Sequence, residues 1–194
     1  MRHTAIAVGL FAVAALSCGP MLAAANPIAI EMMIDFDPPG YVHEAYPAPY
    51  TQVDAYVTAD FTGWIEGINM VAFRLVLPPE TGTGLDFYTA SPIIFIDGDW
   101  ESGIIVWTDD CLDTFPVILG YLSVFYLGVP GHVTIDPHPD LGHVFTACDN
   151  PGETLEYCYV QDGGIGTGAP EPRFLCEHNP VMNVAWGAIK SLYR

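Results

Sequence analysis

Positively charged side chains are almost missing from this sequence. Its 194 residues include five Lys and Arg against 23 Asp and Glu, a formal net charge of −18 at pH 7. Binding to nucleic acid or to an anionic membrane surface needs clustered Lys and Arg, so both functions are excluded. The surplus of acid instead favours solubility, a salty habitat or the binding of cations.

Long apolar runs are also scarce, and the one that stands out is N-terminal. Arg2 precedes an apolar run at residues 5–16, and three alanines then precede Asn26. A run of about a dozen residues is too short to cross a hydrocarbon core, which needs roughly 20. A basic, an apolar and a small-residue region in this order indicate a secretory signal peptide. We therefore predict a signal peptide at residues 1–25, a secreted protein in an extracellular or periplasmic location, and no transmembrane segment in the mature chain.

No Cys-x-x-Cys pair occurs, which argues against a structural zinc site. Of the five cysteines, Cys18 lies in the predicted signal peptide. The remaining four are an even number in a chain predicted to reach an oxidising compartment, so they are expected to form disulfides. Three pairings are possible. We favour Cys111 with Cys148 and Cys158 with Cys176, because each of these pairs closes a neighbouring segment.

Helical periodicity is absent from most of the chain, and alternation with period two dominates. In residues 28–36, for example, Ile30, Met32 and Ile34 fall on one face and Glu31 on the other. About ten short apolar runs of this kind follow one another, separated by Gly, Pro, Asp or Asn. This pattern predicts an all-β fold, an antiparallel two-sheet β-sandwich at residues 26–178.

The C-terminal segment at residues 179–194 is the exception. Ala185, Ile189 and Leu192 have helical spacing there, and Lys190 and Arg194 lie where the C-terminus of a helix favours positive charge. We predict a tail with a short C-terminal helix that packs on the sandwich or docks elsewhere.

Three segments in order resemble the cohesin-type and related immunoglobulin-like sandwiches of secreted bacterial proteins. They read "TQVDAYVTADFTGWIEGINMVAFRLVLPPE", "GIIVWT" and "VILGYLSVFYLGVPGHVTIDP". Gly120, Leu122 and Phe125 correspond to a Gly-x-Leu-x-x-Phe strand of that pattern. The closing "AWGAIKSLYR" is similar to the C-terminal ends of a group of secreted bacterial proteins with a sandwich-like organisation. The resemblance implies a cohesin-like or immunoglobulin-like fold and brings no enzymatic activity with it.

Signals for hydrolysis are weak. No serine lies in a Gly-x-Ser-x-Gly elbow, and no catalytic residue is predicted. Paired carboxylates serve glycoside hydrolysis when they face each other across a substrate. Because acidic pairs are plentiful in this chain, a glycoside hydrolase ranks third among the functions considered.

Acidic residues cluster on either side of one predicted strand, in "DGDWE" and "TDDCLD". Hard oxygen ligands in an acidic extracellular protein suit calcium, which takes six to eight oxygens. Solvated turns are the alternative. We name as candidate calcium ligands Asp97, Asp99, Glu101 and Asp110.

The stretch "DPHPDLGH" places Asp136, His138, Asp140 and His143 within eight residues. It could hold a transition metal or connect two strands. Its two prolines hold the chain extended and remove ladder hydrogen bonds. We predict a connection that holds no transition metal.

Aromatic side chains provide a second kind of candidate site, because flat rings on a sandwich can stack on sugars. Trp107 alternates with Ile105 and is expected to be buried, whereas Trp100 is flanked by two acids and is expected to be exposed. The candidate ligand-binding residues are Trp100, Trp64 and Tyr46.

The sequence favours a secreted, non-catalytic module that acts in extracellular binding or surface assembly. Its partner would be an extracellular protein or a polysaccharide. A carbohydrate-binding module that uses exposed aromatics is the second hypothesis. No cofactor other than calcium is considered.

Overall fold

A computed structural model describes residues 30–61, 65–92, 94–149 and 154–175 of the chain. The predicted signal peptide, the domain end at residue 178 and the tail helix all lie outside these ranges. Within them every regular element is a strand, and no helix is long and apolar enough to cross a membrane. The strands are β1 (Ile30–Asp35), β2 (Glu44–Ala45), β3 (Thr51–Phe61), β4 (Ile68–Val76), β5 (Gly82–Thr89), β6 (Phe95–Asp99), β7 (Gly103–Leu112), β8 (Val117–Tyr126), β9 (Gly131–Asp136), β10 (Val144–Ala147), β11 (Thr154–Glu156), β12 (Tyr159–Gln161), β13 (Gly163–Ile165) and β14 (Arg173–Phe174).

The strands form two sheets around one core. The first sheet has the order β14-β12-β1-β3-β8-β5, and the second contains β11-β10-β4-β9-β13-β2, with β7 paired to β4 and β6 to β7. A single apolar cluster joins Ile34 and Leu122 of the first sheet to Phe73 and Ile104 of the second, and all four are fully buried. The predicted all-β sandwich is therefore confirmed.

The sheets are mixed, so the prediction of purely antiparallel sheets is wrong. Strand β1 pairs in parallel with β12, with Met32 opposite Val160. Strand β13 pairs in parallel with β2, with Ile165 opposite Ala45. Each parallel pair joins strands far apart in the chain, which a long connection allows. Side chains alternate with period two in both kinds of ladder, so the sequence pattern could not distinguish them.

Strand β4 shows why the apolar alternation becomes a sandwich. Val71, Phe73 and Leu75 point into the core and are at most 1% exposed. Arg74, between two of them, points outward as its position in the pattern predicts, and its guanidinium contacts Asp136 on β9. Burial of such side chains contributes about 1.5 to 3 kcal/mol each, which fixes the face that β4 presents to the core.

Strands β9 and β10 pair with the same side of β4, and "DPHPDLGH" connects them. The pairing of β4 with β9 ends where Arg74 lies opposite Asp136. The pairing of β4 with β10 begins where Val71 lies opposite Phe145. The amide of Leu75 donates to the carbonyl of Trp100 (3.0 Å) on the opposite side of β4, where β7 lies. Residues 137–143 are thus an excursion from one edge of β4, and the predicted connection between two strands is confirmed.

The excursion leaves Ala72 without a strand partner on that side, among the described strands. The hydroxyl of Tyr157 donates a hydrogen bond to the carbonyl of Ala72 at 3.0 Å and takes the place of the missing ladder bond. Tyr157 is 1% exposed. Its burial raises the pKa of the phenol far above the ordinary value, so it acts as a neutral donor.

A disulfide joins the ends of β7 and β10. It links Cys111 to Cys148, the first of the two predicted pairs, with 5.7 Å between the Cα atoms. The amide of Cys148 also donates to the carbonyl of Gly67 at 3.0 Å, just before β4. Cys158 is disulfide-bonded as well, and Cys176, its predicted partner, lies outside the described residues.

Candidate functional site

The outer face of the second sheet carries a row of side chains that crosses four strands. Phe95 on β6 lies opposite Trp107 on β7, Trp107 opposite Met70 on β4, and Met70 opposite Thr146 on β10. We call these four residues the Trp107 row. Val71, Val106 and Phe145, which adjoin members of the row along their strands, are buried in the core, so the row lies on the outer face of the sheet. Phe95 and Trp107 are exposed there, whereas Thr146 at the end of the row is buried.

Two aromatic rings dominate this row. Phe95 is 43% exposed and Trp107 is 39% exposed. Their ring centroids are 4.6 Å apart, and the ring planes meet at 26°. Ile105, two residues before Trp107, extends the apolar surface and is half-buried. A stacked aromatic pair on an open sheet face is a surface that a partner can cover.

Exposed acids lie at both ends of β7 beside the row. Asp97, Asp99 and Glu101 lie in the β6–β7 hairpin, and Asp109 and Asp110 lie toward the other end. No Lys or Arg of the described residues lies on β6 or β7. The apolar row is therefore framed by negative charge.

The four candidate calcium ligands are not brought together. The carboxylate of Asp99 accepts hydrogen bonds from the backbone amides of Ser102 (2.7 Å) and Glu101 (3.0 Å), and these hydrogen bonds lower the pKa of Asp99. Asp97 lies opposite Ile105, and Ile105 is five positions before Asp110 on the same strand. At a rise of about 3.3 Å per residue, roughly 16 Å of strand separates Asp110 from the position opposite Asp97. Asp110 therefore cannot share one ion with the hairpin acids, and calcium binding by the other three stays a prediction.

The acidic and histidine side chains of "DPHPDLGH" also point to separate partners. Asp136 pairs with Arg74 (3.2 Å) and with Arg173 (3.3 Å). His138 Nδ1 accepts hydrogen bonds from the backbone amides of Asp140 (3.2 Å) and Leu141 (3.3 Å). These contacts are typical of a polar loop that connects two strands. That these four side chains hold no transition metal among themselves stays a prediction.

His143, at the end of that stretch, turns away toward β11. Its Nε2 lies 3.6 Å from Oε2 of Glu156. Together with Cys158 these residues form the group of potential metal ligands found among the described residues.

The expected exposures of two tryptophans are wrong. Trp100 is half-buried against the core and packs on Gly84, where an added Cβ would lie 2.5 Å from the indole. Trp107 is exposed instead. Residues 104–107 read "IIVW" and are all apolar, so alternation alone could not say which two face inward. The structure turns Ile104 and Val106 inward.

The other two candidate ligand-binding residues have different outcomes. Tyr46 is 67% exposed, with its hydroxyl 3.4 Å from Oε2 of Glu44. Trp64 lies outside the described residues. Ligand binding by these aromatics stays a prediction.

A tyrosine row on the outer face of the first sheet was missed by sequence reasoning. Tyr56, Tyr121 and Tyr88 are cross-strand neighbours, with ring centroids 5.2 and 5.3 Å apart. The charge of Asp86 raises the pKa of Tyr88. Alternation in "TQVDAYV" does place Tyr56 on the outer face, but the alignment of the three strands is not a local signal.

Glu31 supplies a pH-dependent prediction. Burial raises the pKa of Glu31 above its ordinary 4.5, and the charge of Asp60, its cross-strand neighbour, raises it further. A carboxyl with a raised pKa in the folded state costs stability at neutral pH, and this cost disappears as the pH falls toward 4.5 and below. We therefore expect Glu31→Gln to raise the free energy of unfolding at neutral pH and to have little effect in acid, measured by urea denaturation. Glu66→Gln, at an exposed position, is the control. An equal gain in the free energy of unfolding at both pH values would contradict the raised pKa of Glu31.

No protein-family model matches the sequence, and no curated protein matches it. Among solved structures, the chain is similar to one from a type I cohesin–dockerin complex of Clostridium thermocellum, with 11% identity, 71% of this chain and 92% of that chain covered, and a TM-score of 0.52. It is also similar to a cohesin module from a family 33 glycoside hydrolase of Clostridium perfringens, with 12% identity, coverages of 71% and 96%, and a TM-score of 0.50. The fold is therefore a cohesin-like β-sandwich.

Proposed function

We propose that this chain is a secreted, non-catalytic module that binds another extracellular protein through the Trp107 row. The exposed, stacked pair of Phe95 and Trp107 carries the proposal. The similar chain from Clostridium thermocellum belongs to a cohesin–dockerin complex, so a sandwich of this kind occurs in a protein–protein assembly. Secretion rests on the predicted signal peptide at residues 1–25.

The chemistry of the row fits the centre of a protein interface. Aromatic residues and methionine are enriched in such centres, and charged residues are depleted there. Trp107, Phe95 and Met70 provide this composition across three adjacent strands. The acids at both ends of β7 would form the polar rim, where charge steers association more than it adds affinity.

A depression at the end of the second sheet gives little support to glycoside hydrolysis. It has a volume of about 390 Å³, and Pro78, Pro130 and His132 are among its lining residues. Glu80 is the single carboxylate in its lining, whereas glycoside hydrolysis uses two. This depression therefore lacks the acid pair of the third candidate function.

Paired variants on the two sheet faces test the proposal. The full-length secreted protein, Phe95→Ser/Trp107→Ser and the control Tyr88→Ser/Tyr121→Ser would be immobilised and exposed to the secreted proteins of the source organism. We expect a protein that the parent and the control retain and that the Phe95/Trp107 variant loses. With that protein purified, the variant should bind at least about 30-fold more weakly, because hot-spot side chains contribute 2 kcal/mol or more.

The same variants can contradict the proposal. A partner that is lost with the tyrosine variant and kept with the Phe95/Trp107 variant would move binding to the first sheet. Retention on immobilised polysaccharides, abolished by either variant, would favour a carbohydrate-binding module. Turnover on a panel of glycosides would replace the non-catalytic function with a hydrolase.

A further inference from the structure

Three potential metal ligands meet where β10, β11 and β12 approach one another. His143 precedes β10, Glu156 ends β11, and Cys158 lies between β11 and β12. An imidazole nitrogen, a carboxylate oxygen and the sulfur atom all lie within 4.8 Å of one another. His143 Nε2 lies 3.6 Å from Glu156 Oε2.

The backbone holds these three residues in place. Glu156 pairs with Val144, next to His143, and the amide of Tyr157 donates to the carbonyl of His143 at 2.9 Å. The carbonyl of Cys158 accepts the amide of Leu175, also at 2.9 Å. The ring of Tyr157 packs edge-on against the imidazole, with centroids 5.9 Å apart. Strand pairing and these backbone hydrogen bonds thus hold the main chain of the three residues.

That disulfide decides whether the sulfur can bind a metal. Cys158 is disulfide-bonded in this structure, and the thiolate is the form of cysteine that binds metals. We propose that the chain binds one zinc ion through His143, Glu156 and Cys158 once the disulfide of Cys158 is reduced, and that formation of this disulfide abolishes the site. A dithiol reductant supplies the two electrons and two protons that convert the disulfide into two thiols, and is itself oxidised to a disulfide. The thiol of Cys158 then releases its proton to solvent as zinc binds.

The donor set selects zinc over calcium. Nitrogen, sulfur and oxygen donors from His, Cys and Glu suit zinc, whereas calcium takes oxygens alone. Tetrahedral ligands at about 2.0 to 2.3 Å from zinc lie roughly 3.5 Å from one another, so side-chain rotations from the observed separations suffice. The side chain of Glu156 is 53% exposed, which gives an ion access from solvent and leaves room for water as the fourth ligand.

The test uses the full chain with the other disulfide intact. Cys176→Ser removes the predicted partner of Cys158, leaves Cys111–Cys148 in place and needs no reductant. We expect this variant to bind one zinc ion per chain in a competition titration. With cobalt as the probe it should show thiolate-to-metal charge transfer, which the oxidised parent should lack. Adding His143→Ala should weaken zinc binding at least tenfold, whereas adding His138→Ala, a histidine outside the cluster, should leave it unchanged.

Three results would overturn the inference. Cys176→Ser could fail to bind zinc, or the oxidised parent could bind zinc equally well. Zinc binding that survives His143→Ala would indicate an adventitious ion only. If His143→Ala fails to fold, Glu156→Gln replaces it, because that exposed side chain keeps its shape and loses only its charge. None of these outcomes depends on partner binding at the Trp107 row, so this inference and the proposed function can fail independently.

Discussion

Replacing Arg173 with methionine is expected to lower the free energy of unfolding by about 3 to 5 kcal/mol, the range for leaving a buried charge without its ion-pair partner. Asp162 is 1% exposed, and its carboxylate accepts two hydrogen bonds from the Arg173 guanidinium, one of them at 3.0 Å from Nη2. Without Arg173, the amide of Ile135 (2.9 Å) remains as a donor to this carboxylate. Urea denaturation at neutral pH measures the loss.

Arg74→Met is the matched control, because Arg74 pairs with Asp136 at 3.2 Å near the surface. Exposed ion pairs contribute about 1 kcal/mol or less, so this variant should lose much less stability. The double variant Asp162→Asn/Arg173→Met should recover part of the loss, since it removes the uncompensated buried charge. Equal losses for Arg173→Met and Arg74→Met would show that the burial of Asp162 has no energetic consequence.

Removing the disulfide between β7 and β10 should have an effect of similar size. Cys111 and Cys148 are 37 positions apart, and closing a loop of that length in the unfolded chain corresponds to about 4 kcal/mol in the chain-entropy model. We therefore expect Cys111→Ser/Cys148→Ser to lose about this much free energy of unfolding, measured by urea denaturation under non-reducing conditions. The single variant Cys176→Ser, which keeps this bridge and removes the predicted bridge to Cys158, is the comparison.

The denaturant slope separates two explanations of the result. A full loss with an increased slope would show that the bridge acts by keeping the unfolded chain compact. A loss below about 1 kcal/mol would contradict the prediction, because the segment between the cysteines would then be restricted in the unfolded state without the bridge.

Strand faces were predictable wherever polar and apolar residues alternate. In β4, Phe73 and Leu75 flank Arg74, and both apolar side chains are buried as the alternation indicates. Prediction failed at "IIVW", where four apolar residues in succession carry no alternation. There the packing of Val106 and Ile104 into the core turned Trp107 outward. Trp100 comes directly after β6, where the strand period no longer applies, and it folded back onto Gly84.

Composition and short-range pattern by themselves determined the acidic surface, the all-β class and the faces of most strands, because charge and period two are local properties of the chain. Only the tertiary structure decided which strands pair in parallel, and which side chains meet across strands. Phe95, Trp107, Met70 and Thr146 come from four strands, and their row exists through three registers that no local signal encodes. The cluster at His143 likewise depends on the ladder that sets β10 against β11. Register is fixed by the burial of a whole strand face at once, which is why such sites appear only when the sandwich is formed.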